Sequence, residues 1–229
     1  MYLIIGGSSD LGHRVAKSLV NFDNVIITYN SNLKKKIRTK KNKIIYEKLD
    51  LTSYNDIKVF VRKYENKLKK INLLNFAALS IDKLAHQVSP EDIEKVFRIN
   101  TISNILLSKY LIPIMVKENY GRLIFFTSTR ATRGDVGISL YSASKTALNG
   151  FTKSIAKEYS RFNITTNCLR LGYFNSKLFN NINKKLSNKL IKNIPSKKLG
   201  NTDHIVNMIL AIEKSSYVNG AEIPLDDCV

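Results

Sequence analysis

Apolar residues follow two spacings along the chain, and the two alternate from one end to the other. Short, nearly continuous runs of Val, Ile, Leu and Phe predict β-strands, while apolar residues at every third or fourth position predict amphipathic helices. The predicted strands are 2–6, 24–29, 43–47, 71–76, 122–127, 164–169 and 221–225. The predicted helices are 10–22, a helix after Ser53, 90–117 with a kink near Pro113, 139–161 and 202–213.

Strands alternate with helices throughout, and uniformly apolar strands are typical of parallel sheets that are buried on both faces. We therefore predict an α/β fold with one doubly wound parallel sheet of about seven strands, in a single domain spanning 1–229. Ser53 with Asp56, and Ser89 followed by proline and acids, mark helix starts. The Lys- and Asn-rich segment at about 173–198 is long for a connection, and either a mobile lid or plain disorder would explain it.

The composition is that of an ordinary globular protein, except for the charge. Of 229 residues, 44% are hydrophobic and 24% charged, which excludes fibrous and wholly disordered proteins. The net charge of +19 suggests nucleic acid, an anionic membrane or an acidic small molecule or carrier as partner. A solvated, lysine-covered surface is the alternative. The basic residues are spread without a nucleic-acid recognition motif, and no uncharged apolar run has the length of a membrane span. Neither partner is therefore expected.

The cysteines and histidines do not suggest a metal site. Cys168 and Cys228 form no C-x-x-C pair, and His13, His86 and His204 are far apart in sequence. The N-terminus has no basic region and too short an apolar run for a signal peptide. We predict a reducing, cytoplasmic location.

The first strand ends in a glycine-rich turn that leads straight into a helix. The turn reads Gly6-Gly7-Ser8-Ser9-Asp10-Leu11-Gly12. Glycine allows the tight turn and close packing of helix on strand, and the free N–H groups at the helix start can bind a pyrophosphate. A tight turn without a ligand is the alternative interpretation.

A second pattern lies on the helix predicted over 139–161. Tyr141 and Lys145 are four positions apart and share one helix face, and Ser128 lies thirteen residues before the tyrosine. A neighbouring ammonium group and the positive end of the helix dipole lower the pKa of a phenol. Such a tyrosine can exchange a proton with a carbonyl or alcohol oxygen while hydride moves at carbon. An exposed Tyr–Lys pair on an ordinary helix is the alternative.

These motifs together resemble the short-chain dehydrogenases/reductases, whose loop reads T-G-x-x-x-G-x-G and whose active site contains Y-x-x-x-K. The resemblance covers essentially the whole chain and implies a Rossmann fold that binds NAD(P). It implies that Tyr141 is the general acid/base, that Lys145 binds the nicotinamide ribose, and that Ser128 binds the substrate carbonyl. Asn100 matches an asparagine that holds a water in a proton relay. The loop departs from the pattern at Ile5 and Asp10, and an aspartate beside a pyrophosphate is unfavourable unless it turns away, for example to cap its helix.

The same resemblance implies further cofactor contacts. Asp50 and Leu51 match an adenine-binding pair, and 75–78 stand where the family has N-N-A-G, with Phe76 and Ala78 as departures. The full set of cofactor-binding candidates is Gly6, Ser8, Ser9, Asp10, Leu11, Gly12, Asn30, Ser31, Asp50, Leu51, Asn75, Ala77, Ala78, Tyr141, Lys145, Gly172, Phe174 and Ser176.

The end of the second strand indicates which cofactor is preferred. An acid there would bind the ribose 2′-hydroxyl of NAD, but 28–32 contain none. Lys34, Lys35, Lys36 and Arg38 follow, so NADP(H) is the preferred cofactor and NAD(H) the alternative. By analogy with the family, the helices around 89–117 and 139–161 would form a homodimer or homotetramer.

The sequence therefore predicts an NAD(P)(H)-dependent oxidoreductase that interconverts a carbonyl and a secondary alcohol. A narrower hypothesis is a reductase of 3-oxoacyl thioesters carried by acyl carrier protein or coenzyme A. Tyr173, Phe174, Leu178 and Phe179 do not distinguish an acyl chain from a sugar or polyketide. The hypothesis from another class is a non-catalytic protein on the same scaffold that binds nucleotides or nucleic acid.

Overall fold

Seven parallel strands form the central sheet in the computed structural model, which describes residues 1–31, 33, 36–180 and 183–229, with only the backbone at 178. The strands are β1 (Tyr2–Ile5), β2 (Val25–Tyr29), β3 (Ile44–Lys48), β4 (Ile71–Asn75), β5 (Gly121–Ser128), β6 (Ile164–Leu171) and β7 (Glu222–Leu225). Their order is β3-β2-β1-β4-β5-β6-β7. The order reverses beside β1, and this is the point where doubly wound sheets bind ligands.

Helices cover both faces of the sheet. They are α1 (Asp10–Leu19), α2 (Tyr54–Tyr64), α3 (Pro90–Phe97), α4 (Ser103–Lys117), α5 (Thr129–Arg133), α6 (Ser139–Tyr159), α7 (Lys177–Asn180), α8 (Lys184–Asn193) and α9 (Thr202–Lys214). On one face, α2, α4 and α6 bury Leu3, Ile5 and Leu73. On the other face, α1 and α9 bury Tyr2 and Ile4. The sheet is therefore the middle layer of three, and its outer strands β3 and β7 are less buried than the five between them.

The predicted elements are confirmed with boundaries shifted by one to three residues. Ser53 and Ser89 cap α2 and α3 by accepting hydrogen bonds from the amides of Asp56 and Asp92. Sequence patterns did not indicate α5, α7 or α8. In α8 few positions are apolar, and α5 and α7 are only five and four residues long.

The long helix predicted over 90–117 is interrupted by a π-helical segment, Arg98–Ile102, rather than at Pro113, which lies inside α4. Two side chains donate hydrogen bonds to backbone carbonyls of this segment, each from four residues further along the chain. Ser103 Oγ donates to the Ile99 carbonyl (2.7 Å), and Asn104 Nδ2 donates to the Asn100 carbonyl (2.8 Å). Such bulges are often found at functional sites.

The stretch Pro90–Lys117 is long and apolar enough to cross a membrane by length and composition alone. Half of its most apolar window is buried inside the protein, as in the core helix of a globular domain.

Candidate active site

The glycine-rich turn between β1 and α1 depends on backbone geometry that only glycine permits. Gly6 has a positive φ of 67°, and a Cβ there would lie 2.6 Å from the Ala77 amide nitrogen. A Cβ on Gly12 would lie 2.7 Å from the Ser9 hydroxyl, which caps α1 by accepting from the Gly12 amide. The turn therefore brings the start of α1 close to the loop after β4, as a pyrophosphate cradle requires.

A cavity of about 300 Å³ opens beside this turn at the carboxyl ends of the strands. Its volume is at the lower end of the range for ligand pockets. Eight of the predicted cofactor residues line it: Gly6, Ser8, Ser9, Asn30, Asp50, Leu51, Ala77 and Ala78. Six further residues line it that were not among our candidates: Thr28, Tyr29, Leu49, Thr52, Phe76 and Ile99.

Two of the additional residues fix the walls of the cavity. Thr28 Oγ1 accepts a hydrogen bond from the Gly6 amide (3.1 Å), and Thr52 donates from its amide and hydroxyl to Asp50 Oδ1 (2.8 and 2.7 Å). Both threonines lie at or just beyond strand ends on the ligand-binding edge. A polar side chain at such a position was the sequence signal that could have identified them.

The end of β4 and the loop after it contain both a buried hydrogen-bonded asparagine, Asn75, and residues of the cavity wall. Asn75 is 2% exposed, and its amide group donates to Asn104 Oδ1 (2.9 Å) and accepts from the Ala77 amide (2.9 Å). Asn75 therefore shapes the loop and does not line the cavity, contrary to our expectation. Phe76 stacks on Phe126 with ring centroids 4.0 Å apart, which explains an apolar side chain where the family has a polar one.

Among the described residues, the cavity wall also lacks the predicted Asp10, Leu11, Gly12, Ser31, Tyr141, Lys145, Gly172, Phe174 and Ser176. Phe174 is 5% exposed and belongs to the core, where its ring packs against Gly200. Position 172 needs a glycine because the Asp226 backbone packs closely against it: a Cβ on residue 172 would lie 2.7 Å from the Asp226 Cα. Ser176 is 8% exposed. A dinucleotide is longer than this cavity, so the contacts expected beyond it stay predictions.

Asp10 does not cap its own helix. Its Oδ2 accepts from Arg14 Nη2 (2.6 Å) and from the amide of Lys177 (3.0 Å), the first residue of α7. The carboxylate is thus turned toward the 173–198 segment, and the capping role that we expected of it in α1 belongs to Ser9. In the described residues, this segment contains α7 and α8.

Ser128, Tyr141 and Lys145 come together at the ends of β5 and the start of α6. Ser128 is the last residue of β5, and its side chain is near enough to the Tyr141 phenol, on the first turn of α6, to influence the pKa of that phenol. Lys145 lies one turn along α6 and is 4% exposed. Its Nζ donates to the Phe126 carbonyl (2.9 Å) on the same strand that carries Ser128.

The pKa values in this group differ from our expectation for the tyrosine. Burial raises the pKa of Tyr141. The Ser128 hydroxyl and the charge of Arg130 lower it and the charge of Asp82 raises it, and the net shift is upward. Burial lowers the pKa of Lys145 to about 8. We had expected Lys145 to lower the tyrosine pKa, but the ammonium group is directed at the Phe126 carbonyl. Tyr141 is therefore protonated at neutral pH and can donate its proton.

Asn100 connects the π-helical segment to the catalytic helix. It is fully buried, accepts from the Leu79 amide (2.8 Å) and donates to the Leu79 carbonyl (2.8 Å). Its Nδ2 also donates to Ser144 Oγ (2.9 Å), and Ser144 donates to the Tyr141 carbonyl (2.7 Å). The side chain thus joins the loop after β4 to the backbone that carries Tyr141.

The basic residues after β2 are described only in part. Asn32, Lys34 and Lys35 lie outside the described residues, as does the side chain of Leu178. Lys36 and Arg38 are exposed on the connection from β2 to β3, where the Ile37 amide between them donates to the Tyr46 hydroxyl (2.7 Å).

Taken together, the residues at this edge fit a dinucleotide and a carbonyl substrate. The turn at Gly6 leaves room for phosphates, the carboxylate of Asp50 is held at the cavity, and a protonated phenol lies near a serine. The departures at Asp10 and Ala78 do not close the cavity, since Ala78 is exposed at its wall and Asp10 is turned away from it.

Comparison with known proteins agrees with this chemistry. Residues 1–187 match the family model described as short chain dehydrogenase. The chain is 33% identical to the 3-oxoacyl-(acyl-carrier-protein) reductase FabG of Buchnera aphidicola subsp. Baizongia pistaciae, over 96% of this chain and 93% of that protein. It is 28% identical to carbonyl reductase family member 4 of Xenopus laevis, over 97% and 94%. It is 29% identical to the 3-oxoacyl-(acyl-carrier-protein) reductase FabG of Rickettsia felis, over 96% and 92%.

Proposed function

The chain belongs to the short-chain dehydrogenase family of NAD(P)-dependent oxidoreductases, and from that premise we propose that it reduces 3-oxoacyl thioesters with NADPH. The observation that carries the proposal is the juxtaposition of Ser128 and Tyr141, placed with buried Lys145 at the carboxyl edge of the sheet. The alternative of a non-catalytic binding protein is not supported by this family membership.

Tyr141 supplies the proton for reduction. A nicotinamide cofactor held at this site would supply the hydride to the carbonyl carbon, and the Tyr141 phenol would give its proton to the carbonyl oxygen, so that a secondary alcohol would form. Ser128 donates a hydrogen bond to the same oxygen and stabilises the charge that develops there. The raised pKa of Tyr141 keeps the phenol protonated at neutral pH, which is the form that reduction needs.

Lys145 and Asn100 support Tyr141 in two ways, Lys145 through its charge and Asn100 through hydrogen bonds. A lysine with a pKa of about 8 is mostly charged at neutral pH and can bind a ribose hydroxyl while it stabilises the phenolate left after proton transfer. Asn100 fixes the backbone of Tyr141 through Ser144. We assign to it the asparagine position of the family's proton relay.

The preference for NADP(H) rests on charge. In the described part of the cavity wall, β2 ends in Tyr29 and Asn30 and offers no carboxylate to a ribose 2′-hydroxyl. Exposed Lys36 and Arg38 follow, and a 2′-phosphate suits this positive surface better than a hydroxyl does.

The substrate proposal rests on the relatives and on the mouth of the site. Two of the three relatives described above are named as reductases of 3-oxoacyl groups on acyl carrier protein. Arg130 and Arg133 lie on α5, directly after Ser128, and share one carboxylate, Asp135. The site entrance is therefore positively charged, and the protein carries +19 in total. Both suit an acidic carrier protein.

We further propose a cytoplasmic homodimer or homotetramer. The long helix that includes α3 and α4 exposes Ile93 and Ile105 to the extent of 45% and 39%, and an interface would cover them. Sedimentation of the purified protein tests this; a monomer at micromolar concentration would exclude it.

The experiment for the proposed function is steady-state reduction of a 3-oxoacyl thioester, with acyl carrier protein, coenzyme A or a short pantetheine mimic as the thiol. We expect the highest kcat/KM with the carrier protein and NADPH. Ser128→Ala should lower kcat/KM about 100-fold while NADPH binding is unchanged, because only the oxyanion contact is lost. Equal rates for Ser128→Ala and wild type would contradict the catalytic role of Ser128. A higher kcat/KM with NADH than with NADPH would contradict the cofactor preference.

A further inference from the structure

The phosphate loop and the 173–198 segment are joined by a pair of charged residues on the first two turns of α1. Asp10 stands where the family pattern has a glycine, and Arg14 follows one helical turn later. Asp10 Oδ2 accepts from Arg14 Nη2 (2.6 Å) and from the Lys177 amide (3.0 Å), 167 positions away in sequence. Arg14 Nη2 also donates to the carbonyl of Asn175.

These contacts hold the residues on both sides of Ser176. Asn175 is bound through its carbonyl, and Lys177 through its amide, so the two groups flank the serine in the chain. Ser176 is 8% exposed, and its hydroxyl accepts from the Phe179 amide (3.2 Å) within α7. On the other side, the Asn175 amide donates to the Gly200 carbonyl (3.0 Å). The backbone at 175–177 is thus fixed to the phosphate loop and to the residues before α9.

The charges also explain how an aspartate is tolerated beside a phosphate site. A lone carboxylate at a helix N-terminus competes with a pyrophosphate for the same N–H groups and repels it. Here Arg14 neutralises the carboxylate, and the Lys177 amide draws it toward the 173–198 segment. Arg14, four residues after Asp10, therefore supplies the positive charge that offsets the Asp10 carboxylate.

We propose that Asp10 and Arg14 are positioning residues that clamp residues 175–177 against the phosphate loop and thereby set the place of Ser176. The inference rests on the proposed function in one respect, the assignment of Ser176 to the nicotinamide end of the cofactor. The clamp couples the two halves of the cofactor site, because the loop that cradles the phosphates also holds the segment that would contact the nicotinamide.

Hydrogen exchange at the Lys177 amide tests the clamp directly, in the full chain and without added cofactor. Asp10→Ala should speed exchange at this amide about tenfold or more, because the carboxylate that accepts its hydrogen bond is gone. Asp10→Asn keeps an acceptor and should preserve most of the protection. Asp203→Ala, which removes an exposed carboxylate from the first turn of α9, is the matched control and should leave the Lys177 amide unchanged.

Kinetics distinguish positioning from a purely structural or electrostatic role. Asp10→Ala and Arg14→Ala should each lower kcat/KM about tenfold, and the double variant should lose little more, because the pair acts as one unit. Asp10→Asn should restore part of the rate. Thermal unfolding of all variants controls for a general loss of structure.

Two outcomes would overturn the clamp. One is unchanged exchange at the Lys177 amide in Asp10→Ala. The other is tighter NADPH binding by Asp10→Ala with unchanged kcat, which would mean that the carboxylate only repels phosphate. If the wild-type protein reduced none of the thioesters, the proposed substrate would be wrong, and the exchange experiment would still decide whether the clamp exists.

Discussion

The two ends of the sheet carry polar clusters of similar size that are built in opposite ways. At the amino end, Glu213 accepts from the Tyr2 hydroxyl (2.5 Å) and from Asn72 Nδ2 (3.0 Å). Tyr120 donates to Asn72 Oδ1 (3.1 Å), and Arg122 donates to the backbone carbonyls of Glu213, Gly121 and Asn163. The donors and acceptors of this cluster are directed at one another.

At the carboxyl end, the phosphate turn and Asp50 line a cavity, and Ser128, Tyr141 and Lys145 lie at the end of β5 and on the first two turns of α6. Lys145 has a lowered pKa because it is buried beside a backbone carbonyl rather than a carboxylate. Gly6 and Gly12 keep side chains out of the phosphate turn. A second cavity, of about 430 Å³, lies beside the amino-end cluster, but the polar side chains there are hydrogen-bonded to one another. The chain thus satisfies its polar groups with protein partners at the amino end, which we call the closed end, and keeps the phosphate turn free of side chains at the carboxyl end, which we call the open end.

Stability and activity depend on opposite ends of the sheet. Removing a member of the closed cluster leaves buried partners without hydrogen bonds and should cost stability alone. Removing a side chain from the open end should lower activity. Where that side chain is a buried charge, its removal should also increase stability.

The largest effect is expected for Lys145→Met. We expect a loss of kcat/KM of about 10³-fold, together with a gain in stability of about 2 kcal/mol, or roughly 4–8 °C in Tm, at pH 7. The gain arises because a charged lysine with a pKa of about 8 instead of 10.5 is destabilised by burial. Activity assays and thermal unfolding measure the two quantities.

The pH dependence makes this prediction specific. Between pH 8 and 10.5 the folded state binds fewer protons at Lys145 than the unfolded state does, so its penalty is complete below pH 8 and disappears as pH rises through this window. The Tm advantage of Lys145→Met should therefore shrink toward pH 10. Lys157→Met, at an exposed position of the same helix, is the control; an advantage that did not change with pH would contradict the explanation.

The second effect is expected for Arg122→Ala at the amino end. Arg122 is 4% exposed, and its removal leaves three backbone carbonyls with one donor fewer. We expect a loss of about 3 kcal/mol in the free energy of unfolding, measured by urea titration, with kcat/KM unchanged. Arg62→Ala, at an exposed position on α2, should change stability by less than about 0.5 kcal/mol. A drop in kcat/KM of the folded variant would mean that the two ends are coupled.

The smallest effect is expected for Tyr2→Phe. The loss of one hydroxyl leaves Glu213 with the Asn72 hydrogen bond and should lower stability by about 1 kcal/mol. Burial and the neighbouring Glu213 raise the pKa of Tyr2, so this cost should be constant across neutral pH. Tyr217→Phe, at a fully exposed position, serves as the control. Equal Tm values for the two variants would argue against a closed cluster.

The sequence predicted the open end far better than the closed one. Tyr141 and Lys145 share one helix face at a spacing of four, and Gly6 and Gly12 stand in a glycine-rich turn, so spacing indicated the pair and the turn. The role of Ser128 came from the resemblance to the family. Glu213 contacts Tyr2 across 211 positions of the chain, and such a contact has no local signal. The seven strands were predicted because their apolar runs are continuous, and that continuity reflects burial on both faces.

The parts that were not predicted share a physical cause. The pKa of Tyr141 depends on burial and on the direction of the Lys145 side chain, which sequence spacing does not contain. Phe174 matched a cofactor position by motif, yet its ring fills the core beside Gly200. The partner of Asp10 lies in α7, which has too few residues to produce a periodic pattern.

The most direct measurement of the account is a single-turnover reduction with Tyr141→Phe, with NADPH binding and Tm measured on the same preparation. We expect a rate of hydride transfer about 10³-fold below wild type, with NADPH affinity and Tm unchanged, because only the proton donor is removed. Tyr159→Phe on the same helix should behave as wild type. A Tyr141→Phe variant that reduces substrate at the wild-type rate would contradict the assignment of the chemistry to the open end of the sheet.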